Sequence, residues 1–166
     1  MKFNYYGFKA IYVHEMNRFI RTVGQSILSP VISTSLYFVV FGSVIGGYIE
    51  KIDGVSYGSF IVPGLLMLTL LTQSISNTSF GIFFPKFNGT INEILAAPIS
   101  TLETVLAFVG AGATKTLMVG TVIFITASFF ADVTVMYPIL MIFLLVLVSF
   151  TFALFGFLIG VVSKNF

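Results

Sequence analysis

The sequence predicts an all-α polytopic membrane protein, from its composition, its apolar runs and its few charges. Of its 166 residues, 57% are hydrophobic and 8% are charged, and the mean hydropathy is +1.06. A soluble domain carries roughly 25% charged residues, so this chain could not cover a water-facing globular surface. Four apolar runs each approach or exceed the ~20 residues that a helix needs to cross a bilayer. The net charge of +2 is too small to suggest a nucleic-acid partner.

The first predicted element is an amphipathic helix over residues 5–25 that lies flat in the headgroup layer of the membrane. Its polar and aromatic residues fall on opposite sides at helical spacing, which is typical of interfacial helices. A second interpretation, in which this stretch is only the positively charged flank of the first span, stays open. The polar side, predicted to be solvated or interfacial, consists of Lys9, Glu15, Arg18, Arg21, Thr22 and Gln25.

Four spans follow, at about 27–49, 59–84, 102–130 and 137–162, so that residues 1–166 form a single transmembrane domain. If the N-terminus is cytoplasmic, six basic residues lie inside and Lys51 lies outside with Glu50 and Asp53, as the positive-inside rule requires. Small-residue pairs at Gly42/Gly46 and Gly156/Gly160 predict close helix packing. The inner basic residues are Lys2, Lys9, Arg18, Arg21, Lys86 and Lys164.

The stretch FNGTINEILAAPIS, residues 87–100, predicts a short cytoplasmic helix at about 90–97 between spans two and three. Thr90 with Glu93 fits a capping box, and so does Ser100 with Glu103. Pro98 disfavours helical geometry at the residue before it and so ends the short helix.

This short helix is predicted to place Ile91, Ile94 and Leu95 on one apolar face. An isolated helix of this length is marginal in water, so the face needs something to pack against. The interfacial helix, the membrane surface and another subunit are the three alternatives.

The segment FNGTINEILAAPISTLETVLAFVGAGATKTLMVG resembles the cytoplasmic loop and third span of ABC type 2 permeases, the membrane subunits of ATP-driven exporters. Its pattern is a polar turn, then N-E-[IL]-L, then P-[IL]-S, then an acidic residue opening the next helix. SYGSFIVPGLLMLTLLTQSISNTSFGIFFPKF resembles the second span of that family, and RFIRTVGQSILSPVISTSLYFVVFG its interfacial helix and first span. The resemblance covers essentially the whole chain.

The resemblance implies an export permease in the bacterial cytoplasmic (inner) membrane, with its N-terminus in the cytoplasm. Such a permease works as a dimer on two ATP-binding cassette ATPase subunits. The stretch matching 88–97 would be a coupling helix that docks on the ATPase together with the interfacial helix. The implied contact residues are Asn92, Glu93, Ile94, Leu95, Arg18 and Arg21.

Family members usually have six spans, and this chain is predicted to have four. We therefore expect an N-terminal fragment of a six-span domain, with natural truncation as the alternative. The alternative function is that of a non-energised membrane protein, either a small secondary transporter or an assembly subunit. Secondary transporters usually carry acidic residues near the membrane midplane, and none lies clearly mid-span in this sequence.

No catalytic, metal or cofactor site is predicted. GAGATKT at 110–116 lacks the glycine that a phosphate-binding loop has directly before its lysine, so ATP hydrolysis is expected in a partner subunit. Lys115 is predicted either to reach the headgroups or to face a hydrated cavity. Gln73 and Asn77 belong to a polar stretch of span two, predicted to form interhelical hydrogen bonds or to line a translocation path. The candidate path residues are Gln73, Asn77 and Lys115.

Overall fold

Six helices and one two-stranded turn make up the part of the chain that the computed structural model describes, residues 3–45, 51–52 and 54–163. Lys2, Gly46, Glu50, Asp53 and Lys164 lie outside the described residues. The elements are α1 Tyr5–Arg21, α2 Val23–Tyr37 with a π-helical continuation Phe38–Ile45, β1 Lys51–Ile52, β2 Val55–Ser56, α3 Tyr57–Phe87, α4 Ile91–Ala96, α5 Thr101–Ser128 and α6 Pro138–Val162.

The four predicted spans are confirmed as helices that are long and apolar enough to cross a membrane. They are Val23–Phe41, Tyr57–Phe87, Thr101–Ser128 and Pro138–Val162. The second span runs on through Pro85 rather than ending before it. The polar turn between the first two spans contains the short antiparallel pairing of β1 with β2, which is closed by Gly54 at a φ of 83°.

The predicted helix over 5–25 is divided. α1 ends at Arg21, Thr22 has the non-helical backbone angles φ −110° and ψ 13°, and α2 begins at Val23. The break separates a charged helix from an apolar one.

α3 packs against both α5 and α6, and small residues form close contacts between these helices. A β-carbon on Gly156 of α6 would lie 2.5 Å from the carbonyl oxygen of Ile75, and one on Gly160 would lie 2.8 Å from that of Ser79. In a membrane, where lipid is as apolar as the helix, such close approach is a main source of helix association. The prediction that Gly156 and Gly160 serve packing is confirmed.

One end of the bundle gathers the end of α3, the whole of α4, the start of α5 and the end of α6. Lys86 of α3 fixes this arrangement, because its Nζ donates to the carbonyl oxygens of Gly160, Val161 and Ser163 at 3.1, 2.7 and 2.9 Å. A cation at a helix C-terminus donates hydrogen bonds to the last carbonyl oxygens, and its charge interacts favourably with the negative end of the helix dipole. The candidate functional site lies at this end.

Candidate functional site

The short helix predicted from FNGTINEILAAPIS is present as α4, Ile91–Ala96. It begins after Gly89, whose φ of 77° is a left-handed conformation that glycine adopts without strain. It ends at Ala97, which is extended with φ −72° and ψ 149° directly before Pro98, as predicted.

Of the two predicted capping boxes, one is confirmed and one is wrong. Ser100 and Glu103 each accept the other's backbone N–H, at 3.3 and 2.8 Å. Thr90 caps nothing, because its own backbone is already helical, with φ −67° and ψ −13°, and its hydroxyl donates to Pro85 O at 3.4 Å. A capping hydroxyl needs a non-helical backbone to reach the next turn's N–H groups.

The prediction that Ile91, Ile94 and Leu95 share one face of α4 is wrong for Leu95, whereas Ile91 and Ile94 are both half-buried. Ile94 turns toward the bundle and packs against a buried cluster that includes Ile11 of α1 and Phe108 of α5. Leu95 is 74% exposed, because consecutive helical residues point about 100° apart. Asn92 and Glu93 are also exposed. We call these three outward residues, Asn92, Glu93 and Leu95, the α4 face.

The start of α1 is attached to the link between α4 and α5. Asn4 donates from its backbone N to Glu103 Oε1 at 2.5 Å and from Nδ2 to Pro98 O at 3.1 Å. A β-carbon on Gly7 would lie 2.7 Å from Cγ1 of Ile99, so α1 approaches this link at van der Waals contact. Asn4 was not among the predicted site residues, although an asparagine before an amphipathic stretch is a typical N-cap, and its Oδ1 accepts from Gly7 N.

Further along, α1 packs on α5 through Ile11, Glu15 and Phe19, which are all buried. The prediction that Glu15 lies on a solvated or interfacial face is therefore wrong: it is 2% exposed. Glu15 follows Ile11 by four residues and precedes Phe19 by four, so it shares their face of the helix.

The partner of Glu15 is Lys115, which lies halfway along α5 and is also 2% exposed. Lys115 Nζ lies 2.7 Å from Glu15 Oε2, and Arg18 donates to the same oxygen at 2.8 Å. Lys115 therefore lies in a buried ion pair with Glu15 in the described part of the chain. The Arg18 side chain is 30% exposed, and Arg21 is exposed at the end of α1.

The polar stretch of α3 divides between its own helix and its neighbours. Asn77 Nδ2 donates to Gln73 Oε1 at 3.3 Å within α3, and both residues are half-buried. Ser79 Oγ donates to Gly156 O of α6 at 2.8 Å, which is an interhelical bond of the predicted kind. The Ser74 and Thr78 hydroxyls are buried without a hydrogen-bond partner among the described residues.

The part of the chain that the structure describes contains no group of three His, Cys, Asp or Glu residues that could hold a metal ion. The polar groups at this end of the molecule instead form contacts between helices. The α4 face is exposed, whereas the helices beside it are connected to one another by these contacts. Such an exposed face is suited to binding a protein partner.

The family model described as ABC-2 type transporter matches residues 6–166. The chain is 37% identical over 158 residues to the inner membrane transport permease YadH of Escherichia coli K12, covering 95% of this chain and 62% of that protein. The same protein of Escherichia coli O157:H7 and of Shigella flexneri gives the same values. The chain thus spans about three-fifths of the length of these relatives. No solved structure matches it significantly.

Proposed function

The chain belongs to the ABC-2 type transporter family, and from that premise we propose that it is the membrane permease of an ABC exporter. In this proposal it moves a substrate across the bacterial cytoplasmic membrane, and a separate ATPase subunit hydrolyses the ATP. The N-terminus and α4 face the cytoplasm in this proposal, as the positive-inside rule applied to the sequence suggests. A second copy of the permease completes the transporter.

The α4 face is the observation that carries this proposal. Leu95 exposes 74% of its surface on a six-residue helix, between a carboxylate at Glu93 and the start of α5. A large apolar side chain rimmed by polar ones is typical of a protein contact. The inner side of α4 is occupied by its own bundle, so the α4 face is the side of this helix that an ATPase subunit could contact.

Arg18 and Arg21 form a second proposed contact, separate from the α4 face, because it is the start of α1 and not its end that is attached beside α4. Both lie in the last turn of α1, a basic helix end that can bind acidic groups of a partner. Arg21 is exposed, whereas Arg18 is partly exposed and also donates to Glu15. Ile94 contributes indirectly, because its packing fixes the orientation of Leu95.

The translocation path in this proposal runs beside Gln73 and Asn77 of α3. Their amides are half-buried and bond to each other at 3.3 Å, which leaves the remaining amide hydrogens and lone pairs for a polar substrate or water. Lys115 is assigned to the α1–α5 contact rather than to the path, because Glu15 already neutralises it.

The test is co-purification of the tagged chain with the ATPase encoded by a neighbouring gene. Leu95→Asp places a charge in the contact and is expected to reduce the retained ATPase at least tenfold. Leu102→Asp is the matched control, because Leu102 is a leucine of α5 that is 75% exposed. Equal retention by both variants and the unmodified chain would exclude the α4 face as the contact. An unmodified chain that retains no ATPase would favour a non-energised membrane protein.

A further inference from the structure

A buried ion pair lies in the middle of the contact between α1 and α5. The side chains of Glu15 and Lys115 are each 3% exposed, and the Nζ–Oε2 distance is 2.7 Å. Both Lys115 and Arg18 donate to Oε2, and Oε1 has no hydrogen-bond partner among the described residues. Oε2 of Glu15 therefore accepts two hydrogen bonds from charged groups, whereas Oε1 accepts none from the described residues.

Such a pair determines position more than it adds net stability. Removing two charges from water is costly, and their attraction offsets this cost only while they stay in contact. If α1 left α5, the ammonium of Lys115 would be unpaired halfway along a membrane-spanning helix. A shift of α1 along α5 would have the same consequence. The pair thus fixes α1 at one place on α5.

α3 also contacts this ion pair, at Gly81. A β-carbon on Gly81 would lie 3.3 Å from Glu15 Oε2 and 3.7 Å from an Arg18 guanidinium nitrogen. The glycine leaves room for the carboxylate, so three helices meet at Glu15. Movement of α1 therefore acts on α5 and α3 at the same point.

The other end of α1 is attached next to α4. Asn4 bonds to Glu103 and Pro98, and Gly7 contacts Ile99, all in or beside the link between α4 and α5. α1 is thus connected at its start to the base of α4 and in its second half to the middle of α5. A displacement of α4 reaches Lys115 through α1 as well as through α5 itself.

We propose that Glu15 is a positioning residue for transport, whose contact with Lys115 transmits displacement of the α4 face to the middle of α5. This inference rests on the proposed function, because an ATPase subunit supplies the displacement. Glu15 contacts neither substrate nor ATPase in this role. It keeps α1 and α5 in one register while the cytoplasmic end moves.

The first experiment needs no partner and measures amide hydrogen exchange of α1 in the full chain in lipid nanodiscs. Glu15→Gln and Lys115→Met are each expected to accelerate exchange over residues 5–21 by about tenfold or more, because undocking of α1 becomes more frequent. The charge reversal Glu15→Lys with Lys115→Glu is expected to restore protection. Lys9→Gln, at an exposed position of the same helix, is the control and should leave exchange unchanged. Unchanged exchange in both single variants, or a reversal as unprotected as they are, would overturn the proposal.

The second experiment measures transmission in the complex with the ATPase. The chain has no cysteine, so Phe60→Cys and Phe129→Cys, both exposed at the end opposite α4, can carry spin labels. The distance between the labels is expected to change when the ATPase is trapped with ATP and vanadate. Glu15→Gln should retain the ATPase but lose this change, and the charge reversal should recover it.

A full distance change in Glu15→Gln would overturn the transmitting role. If the unmodified chain retains no ATPase, the proposed function fails and the transmitting role fails with it. The exchange measurement still decides in that case whether Glu15 positions α1. The two failures are therefore distinguishable.

Discussion

Gly156 of α6 lies directly against the backbone of Ile75 of α3. A β-carbon at position 156 would come within 2.5 Å of the Ile75 carbonyl oxygen and 2.9 Å of its Cα. Backbone atoms inside a helix cannot turn aside as the end of a side chain can, so this contact fixes the distance between the two spans.

Gly156→Ala is therefore expected to destabilise the protein by about 1–3 kcal/mol, the usual cost of overpacking a tight contact. Gly64→Ala is the control, because a β-carbon on Gly64 of α3 would meet no atom within 4 Å. Thermal unfolding in detergent checks the pair. Equal melting temperatures would contradict the close packing of α6 on α3.

Substitutions at Ile94 and Leu95 are expected to have different effects on stability and on ATPase binding. Ile94→Ala removes packing from the cluster around Ile11 and Phe108 and should cost about 1–2 kcal/mol, less than for a fully buried isoleucine. Leu95→Ala should leave the melting temperature within about 1 °C, because Leu95 is 74% exposed. Leu95→Ala should reduce the amount of retained ATPase more than Ile94→Ala does. A lower melting temperature for Leu95→Ala than for Ile94→Ala would contradict the orientation of α4.

Ser100 and Thr90 offer a test of the two capping boxes. Ser100→Ala removes an N-cap hydroxyl that accepts from Glu103 N and should cost about 1 kcal/mol. Thr90→Ala removes only a long bond to Pro85 O and should cost less than about 0.5 kcal/mol. Hydrogen exchange in the first turn of α5 should rise for Ser100→Ala alone. If Thr90→Ala cost more stability than Ser100→Ala, the capping hydroxyl would belong to α4 and not to α5.

Lys86 is expected to hold the end of α6. Lys86→Met keeps the length of the side chain but removes three hydrogen bonds to carbonyl oxygens. Exchange in the last turn of α6 should increase by about tenfold, in line with a loss of about 1.5 kcal/mol for a bond to a charged group. Lys9→Met, at an exposed lysine of α1, serves as the control. Similar exchange in the two variants would mean that the end of α6 is held by packing alone.

The class of the protein, the four spans and the bounds of α4 could be predicted from the sequence. These properties depend on near neighbours: a span needs enough consecutive apolar residues, and a short helix ends where Pro98 excludes helical geometry at Ala97. The Ser100–Glu103 capping box was predictable for the same reason, since both partners lie within one turn. The family resemblance carried by these segments agrees with the match over residues 6–166.

The pairing of side chains that are distant in the sequence could not be predicted and is seen first in the folded chain. Glu15 and Lys115 are 100 positions apart in the sequence, and no local pattern shows that one is buried against the other. The charges suggested a solvated or interfacial Glu15 and a Lys115 that reaches the headgroups or faces a hydrated cavity, because each charge is costly to bury singly. Ile94 turns inward for a related reason: α1 and α5 supply the apolar surface that it covers, and that surface exists only once the distant helices have packed.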